Sequence, residues 1–362
     1  MKTKQEWMDL ALNLAEATVG QTSPNPSVGA VVVKNGELLG VGTHLKAGQD
    51  HAEVHAINQA GTQAKGADIY VTLEPCAHYG KTPPCAELII QQQLNKVYIA
   101  CLDPNPKVAG KGVAMLRAAG IDVEVGLQET RALKINQHFF HYQYKKRPFV
   151  TLKAATTLDG KTATSTGDSK WITSKQARED VHKQRHQHDA ILVGRQTVVQ
   201  DNPSLTTRLA DGGKNPIRII LDSRLSLTGE LAIFDQQAET WMICSQQANA
   251  EAFRQQHPHI KVIQLPTEQI DIADVLQILA EEGVQSLYVE GGASVHHSFL
   301  TQRLFDEWHW YIAPKLLGGQ DAQSVISGSS PEWMQEAVML TFSQIETIGP
   351  DVKIIATPKE EN

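Results

Sequence analysis

His51-Ala52-Glu53, followed by Glu74-Pro75-Cys76-Ala77-His78-Tyr79-Gly80-Lys81-Thr82-Pro83-Pro84-Cys85, carries the residue types of a tetrahedral metal site. One imidazole and two thiols supply three ligands, the number a catalytic zinc site uses when its fourth position stays open for water. Zinc lowers the pKa of such a water to about 7. A carboxylate that is not a ligand can shuttle the proton. Glu53, two residues after His51 at the start of a helix, suits that shuttle. His55 competes as a ligand, being one helical turn from His51, but choosing it leaves Glu53 without a role. Cys85 follows two prolines and opens AELIIQQQL. Proline favours a helix start, and the positive end of the helix dipole favours the thiolate that zinc needs. Cys101 and Cys244 lie in apolar strands and read as core fillers.

Working outward, residues 28–33 and 37–42 form a hairpin around Asn35-Gly36, the pair that tolerates the positive φ of a tight turn. Residues 51–60 read as a helix, 67–73 as a strand, 86–94 as a helix and 96–101 as a strand. Residues 113–119 and 121–125 continue as helix and strand. This alternation predicts a layered α/β domain. Residues 138–146 (HFFHYQYKK) show no clean period. A second α/β domain begins near Arg147-Pro148, with strands at 149–154, 190–193, 217–221, 240–244, 260–265 and 286–289. The expected domains are therefore 1–146 and 147–362.

The 362 residues contain 33 Lys and Arg against 40 Asp and Glu, a net charge of −7. An acidic total argues against nucleic acid as a partner, because phosphate binding calls for a basic face. Apolar residues make up about 46% once glycine is counted and tyrosine left out, within the ~45–50% of globular chains. No window approaches a membrane span of about 20 apolar residues. The N-terminal stretch, broken by Glu6, Asp9 and Glu16, reads as an amphipathic helix of a cytoplasmic protein and not as a signal peptide. Four cysteines are too few for a disulfide scaffold.

The H-x-E and P-C elements resemble the zinc nucleoside deaminases, with a longer loop between Cys76 and Cys85 than the usual P-C-x-x-C. Their surroundings narrow the resemblance. Thr22-Ser23-Pro24-Asn25-Pro26-Ser27-Val28-Gly29, then His44 and Gly48, precede the metal motif. Asp103-Pro104-Asn105-Pro106 and Gly110-Lys111-Gly112 follow it. Together these resemble the bifunctional riboflavin-biosynthesis deaminase/reductase family. Tyr79 and Lys81 stand where that family's pattern has a His and an Arg. Both can still donate hydrogen bonds, but Lys lacks the planar fork of Arg. The resemblance implies a diaminopyrimidinone substrate carrying a ribosylamino phosphate, with His51, Cys76 and Cys85 on zinc and Glu53 moving the proton as ammonia leaves. Asn25, an amide offering donor and acceptor, is a candidate contact to the base edge; it is also a natural turn residue between two prolines.

No G-x-G-x-x-G follows a strand in the second half. Leu287-Tyr288-Val289-Glu290-Gly291-Gly292-Ala293-Ser294 is instead a strand, a Gly-Gly turn and a helix start, where backbone can approach a phosphate. With Lys153 to Lys161, Ser169 to Thr173, Arg185, Asp189 to Gly194, Thr197, Asp201 to Arg208 and Leu221-Asp222-Ser223, it resembles the reductase half of the same family. That resemblance implies a dihydrofolate-reductase-like fold. It places Ala155, Trp171, Thr197, Asp201, Ser223 and the run Gly292, Ala293, Ser294, Val295, His296, His297, Ser298 against NADPH. Ser169, Arg185, Leu205, Arg208 and Glu290 face the substrate, with Lys153 beside the reacting sugar carbon. Arg185 and Arg208 have the bidentate donors that grip a phosphate, although Arg185 lies in a charged run of the kind that is often solvated. His182, His186 and His188 read as solvated.

The expected protein is a two-domain α/β enzyme. A cytidine-deaminase-like α/β/α N-terminal domain binds one zinc, and a dihydrofolate-reductase-like α/β C-terminal domain takes NADPH. Its partner is a small pyrimidine phosphate, with no nucleic acid and no membrane, in a cytoplasmic homo-oligomer. A deaminase acting on RNA would need a basic groove. A purely structural zinc module would need a fourth protein ligand.

Overall fold

The structure is a computed structural model describing residues 2–79, 83–105 and 109–359. Lys81 of the metal-site loop and Pro106 lie outside the described residues. The chain divides into two compact units, Met1–Lys146 and Arg147–Asn362.

The first unit places a sheet between two helical layers. Its strands are β1 (Gly29–Lys34), β2 (Glu37–Thr43), β3 (Asp68–Leu73), β4 (Lys96–Cys101) and β5 (Asp122–Val125), in the order β2-β1-β3-β4-β5. The hairpin pairs antiparallel, as does β1 with β3; β3, β4 and β5 are parallel. Asn35 and Gly36 both have positive φ, 52° and 79°, as the tight turn requires. The two-residue period of strands sends alternate side chains to opposite faces. Ala30, Val32, Ile69 and Val97 meet α2 (Ala52–Ala60), α3 (Cys85–Gln91) and α4 (Lys111–Ala118). Val31, Val33, Tyr70 and Tyr98 meet α1 (Lys4–Glu16), α5 (Glu129–Ile135) and α6 (Gln137–Lys145). Residues 138–146, which show no clean period in the sequence, are mostly α6. The helix is nine residues long and buries Phe139 and Phe140, too few apolar residues to print a helical period.

A close approach fixes α2, the helix that carries the metal motif. A Cβ at Gly42 in β2 would run into the carbonyl oxygen of Ala52 and the backbone nitrogen of Ala56. Glycine there lets the helix lie directly against the strand.

The second unit contains β6 (Phe149–Thr157), β7 (Lys161–Ala163), α7 (Lys175–Gln187), β8 (Ala190–Gly194), α8 (Arg195–Asp201), β9 (Ile217–Leu221), β10 (Thr240–Cys244), α9 (Ala250–Gln256), β11 (Lys261–Gln264), α10 (Ile272–Glu281), β12 (Ser286–Gly291), α11 (Ala293–Thr301), β13 (Glu307–Ala313), β14 (Gln323–Ser324), β15 (Leu340–Ile348) and β16 (Asp351–Pro358). Its main sheet runs β11-β10-β9-β8-β12-β6-β13-β16-β15. The strands from β11 to β13 are parallel; β16 and β15 are antiparallel additions at one edge. Helices α10 and α11 cover one face through Val275, Leu279 and Phe299. On the other face lie Val198 of α8 and Phe253 of α9, and Val181 of α7 against Tyr288 and Tyr311. The C-terminal edges of β6, β8, β9 and β12 thus open toward the N-termini of α8 and α11, where ligands of parallel α/β sheets bind.

Candidate functional site

In the first unit His51 is the residue capping α2, Glu53 lies in that helix's first turn, Cys76 follows β3, and Cys85 is the first residue of α3. His51 Nδ1 lies 3.3 Å from Cys85 Sγ and 3.6 Å from Cys76 Sγ. The backbone N–H of Cys85 donates to Cys76 Sγ at 3.3 Å. A tetrahedron with corners 2.0–2.3 Å from its centre has edges of about 3.3–3.8 Å, so these spacings fit zinc. Among the described residues this His/Cys/Cys group is the cluster of ligand atoms that could hold a metal ion. Hydrogen bonding from Cys85, with further help from His51, holds the Cys76 thiol down to about 4, the thiolate a metal takes. Its bond to Cys76, with burial, pushes the Cys85 thiol up. The Cys76 bond also raises His51 to about 9. Glu53 is buried, and that burial raises it to about 7. Cys101 and Cys244 are fully buried, apart from the cluster.

A cavity of about 200 Å³ opens beside these groups, lined also by Asn25, His44, His78, Asp103 and Asn105. Asn25 is therefore in the site. Its Nδ2 lies 3.0 Å from His44 Nε2, and His44 Nδ1 lies 3.0 Å from the Asp50 carbonyl oxygen. A carbonyl only accepts, so Nδ1 carries the proton and neutral Nε2 accepts from Asn25. Burial, which lowers the His44 pKa, favours that neutral ring. His44, Asp103 and Asn105 belong to the quoted motifs but were not singled out as site residues; their position beside the metal motif was the available signal.

Glu74 organises the far wall. It is buried, and its carboxylate accepts from the backbone N–H groups of Gly110 and Gly112 at 2.9 Å, Val113 at 3.2 Å and Asp103 at 3.3 Å. It thereby caps α4 and ties down the segment bearing Asp103. Burial raises the Asp103 carboxyl to about 6.

In the second unit a cavity of about 330 Å³ is lined by Lys153, Ala155, Ser169, Trp171, Arg185, Asp201, Arg208, Glu290, Ala293 and His296. A second, of about 660 Å³, is lined by Ser223, Ser294, Val295 and Ser298. Thr197 and Gly292 line both. Leu205 and His297 are not brought to either cavity: Leu205 packs in the core, and the His297 ring lies against Gly328.

Arg185 corrects the sequence expectation of a free phosphate grip. It is buried, and it makes a bidentate pair with Glu290, Nε to Oε1 at 2.6 Å and Nη2 to Oε2 at 2.9 Å. Nη1 donates to the Thr206 carbonyl at 2.9 Å. Its charge is thus consumed inside the protein. Burial would raise Glu290, but the charges of Arg185 and Lys153 outweigh it and hold the carboxyl at about 2. Lys153 Nζ stands 3.9 Å from Glu290 Oε2; burial lowers its pKa against the pull of Glu290. Arg208 keeps its guanidinium at the cavity, with one long bond to Thr206 Oγ1 at 3.4 Å. Of the three histidines expected to be solvated, His188 is instead buried on Thr151 at 2.9 Å; His186, which accepts from the Lys214 N–H at 2.9 Å, and His182, which lines the smaller cavity, are half-buried.

The turn before α11 fits a dinucleotide. Gly291 and Gly292 have φ of 110° and 36°, and a Cβ at Gly292 would lie 3.2 Å from Thr197 Oγ1. Bare backbone therefore faces the cavity at a helix N-terminus.

Comparison with known proteins finds a match for each unit. Residues 1–101 match the cytidine and deoxycytidylate deaminase zinc-binding region, and residues 148–354 match the RibD C-terminal domain. The riboflavin biosynthesis protein RibD of Bacillus amyloliquefaciens is 53% identical over 359 residues, covering 99% of this chain and 97% of its own. That of Escherichia coli is 39% identical, covering 96% and 97%. A solved RibD structure from Acinetobacter baumannii superposes with a TM-score of 0.90 at 40% identity, covering 98% of this chain and 99% of that one. The diaminohydroxyphosphoribosylaminopyrimidine deaminase/5-amino-6-(5-phosphoribosylamino)uracil reductase of Thermotoga maritima gives 0.89 at 37% identity, covering 98% of each chain. With a zinc-deaminase unit followed by a reductase unit along its whole length, the chain belongs to the RibD family of bifunctional riboflavin biosynthesis deaminase/reductases.

Proposed function

We propose that residues 1–146 deaminate a diaminopyrimidinone ribosylamino 5′-phosphate and that residues 147–362 then reduce its ribosyl group to ribityl. The convergence of His51, Cys76 and Cys85 beside buried Glu53 carries this reading. Zinc, held by those three ligands, supplies Lewis-acid activation of water. Glu53 would carry the attacking water's two protons in turn at its carboxylate, one to the ring nitrogen beside the reacting carbon and one to the exocyclic amine, which leaves as ammonia while the ring carbon becomes a carbonyl. Asn25, oriented by His44, holds the base edge.

In the second unit NADPH, bound along the Gly292 turn with Ala155, Trp171, Thr197, Asp201 and Ser223, supplies a hydride. Opening the sugar also consumes one proton, and Lys153 holds one at Nζ beside the cavity. Burial eases its release. The Arg185–Glu290 pair orients Glu290 toward the sugar hydroxyls, Ser169 adds a hydroxyl contact, and Arg208 holds the phosphate. Incubating the protein with the diaminopyrimidinone phosphate and NADPH, while following ammonia and nicotinamide absorbance separately, tests both halves. Ammonia release without NADPH, and NADPH consumption only after deamination, is the expected result.

Four free thiols support a reducing cytoplasmic setting. Among the described residues no helix is long and apolar enough to cross a membrane. Edge strand β15 exposes Phe342 and Ile345; an uncovered apolar edge supports pairing with a second copy of the chain.

A further inference from the structure

Two histidines that the reductase reading leaves unused hold the loop that carries Arg208. Their helix, α7, is a fixed base. Arg185 locks it to Glu290. Asp180 Oδ2 accepts from the Tyr311 hydroxyl at 2.6 Å and from buried Lys353 Nζ at 2.7 Å, and the Ser174 N–H donates to Asp351 Oδ2 at 2.7 Å. His182, Arg185 and His186, three and four residues apart, share one face of this helix. His182 Nδ1 accepts from the Arg208 backbone N–H at 3.3 Å, and His186 Nδ1 from the Lys214 backbone N–H at 2.9 Å. The chain between those two donors is a closed loop. At its base the Thr207 N–H donates to Asn215 Oδ1 at 2.9 Å and the Thr207 hydroxyl to the Lys214 carbonyl at 2.8 Å. Gly213, with a φ of 153°, passes so close that a Cβ there would lie 2.8 Å from Thr207 Cγ2. The Arg208 guanidinium reaches the cavity with one long bond, 3.4 Å, to Thr206 Oγ1. Its place is therefore set by the backbone beneath it, and the two imidazoles hold that backbone.

A backbone N–H only donates, so each Nδ1 is bare and each neutral ring carries its proton on Nε2. Charging either ring puts a second N–H where the bond was, and donor then faces donor. The surroundings favour the neutral rings. Burial, with the charges of Arg185 and Arg208, lowers His182 to about 4, against the pull of Glu290 on β12 and of the Thr206 backbone. Burial and Lys214 lower His186; that ammonium stands 3.1 Å from Asp189 Oδ1. Folded values below the ordinary 6.5 mean that both bonds are intact above 6.5 and are lost as pH falls through the lowered values. We propose that His182 and His186 are positioning residues that hold the Arg208 loop against α7 through Nδ1, and so set the affinity for the phosphate of the reductase substrate. This rests on the reading that Arg208 holds that phosphate. The tether is closed at neutral pH and opens on acidification.

The test uses the full-length chain and two readouts: affinity for ribose 5-phosphate by calorimetry, and reductase KM and kcat with the deaminated pyrimidine phosphate. H186A should weaken ribose 5-phosphate and raise KM about 3–10-fold, the loss of one neutral hydrogen bond, with kcat and ammonia release unchanged. Asn Oδ1 stands where His Nδ1 stood and accepts without titrating, so H186N should recover both values at neutral pH. H182A and H182N should repeat the pattern. Between neutral pH and about 5, affinity should fall more steeply in wild type than in H186N. The phosphate itself titrates near about 6 in every variant, so the ratio of the two proteins isolates the ring. A lower melting temperature with both readouts unchanged makes the histidines structural only and overturns the proposal. So does an H186N that fails to recover, or one that keeps the full acid limb. If R208A binds ribose 5-phosphate as tightly as wild type, the phosphate reading itself falls. Exchange of the Lys214 amide in deuterated solvent then judges the tether alone: faster exchange in H186A than in wild type and H186N supports it, and equal exchange overturns it.

Discussion

Glu53 suits the proposed proton transfer because of where it stands: in the first turn of a helix capped by His51, enclosed, and beside the cavity. Glutamine keeps its shape and cannot take a proton. E53Q should therefore lower ammonia release by about 10²–10⁴-fold while retaining one zinc per chain; C76A should lose the metal, and C101A and C244A should keep it. Elemental analysis beside an ammonia assay decides each case. The metal ligands were legible in the sequence because zinc dictates residue type and because their flanking Pro and helix-start signals are local. Arg185 was not. Its neighbours spell a solvated charge run, and the partner that neutralises it, Glu290, is distant in the chain and close only in the fold. Arg208 is left at the cavity, as the proposed phosphate contact requires.

Among elements, α2 and α7 position the two sites. Gly42 lets α2 rest on β2; G42A must push the helix away, carrying His51 and Glu53 with it. Overpacking of this kind costs typically about 1–3 kcal/mol, so a lower melting temperature and weaker zinc retention should appear together. Helix α7 is fastened to β12 by Arg185–Glu290. E290Q leaves a buried guanidinium without its counter-charge, a loss of about 3–5 kcal/mol measurable by urea unfolding. The pair also sets a pH dependence. Glu290 sits at about 2 in the folded protein, below its ordinary 4.5; its stabilisation is full above 4.5 and fades as pH falls toward 2. E290Q should lack that acid limb. Most parallel strands of both units were legible as apolar runs, whereas parallel β13 and the antiparallel edge strands β15 and β16 were not expected. Strand β13 buries Glu307 and His309 as a polar pair, which breaks its apolar run, and β15 lies exposed at an edge, so neither prints the pattern of a buried strand.

For the whole molecule, each unit holds its own sheet, core and cavity. Impairing one site should spare the other. E53Q should still consume NADPH when given the deaminated pyrimidine. R208A should release ammonia normally and lose about 10–100-fold in reductase kcat/KM, since charge-assisted phosphate contacts contribute about 1.5–3 kcal/mol each. Equal damage to both activities by R208A in a folded chain would contradict that separation. Composition and strand–helix alternation were enough to expect two α/β domains, because each buries its own apolar face.

The carboxylate of Glu74 gathers amides from Asp103, Gly110, Gly112 and Val113 onto one buried acceptor. Protons held by a common acceptor are released by a common motion. In deuterated solvent these four positions should exchange as a cohort, slowly and at matching rates, although two of them precede the helix. E74Q keeps a carbonyl acceptor but removes the charge that draws four donors together, and the cohort should scatter into separate, faster rates. The deaminase cavity then has a wall whose opening can be timed without substrate or turnover.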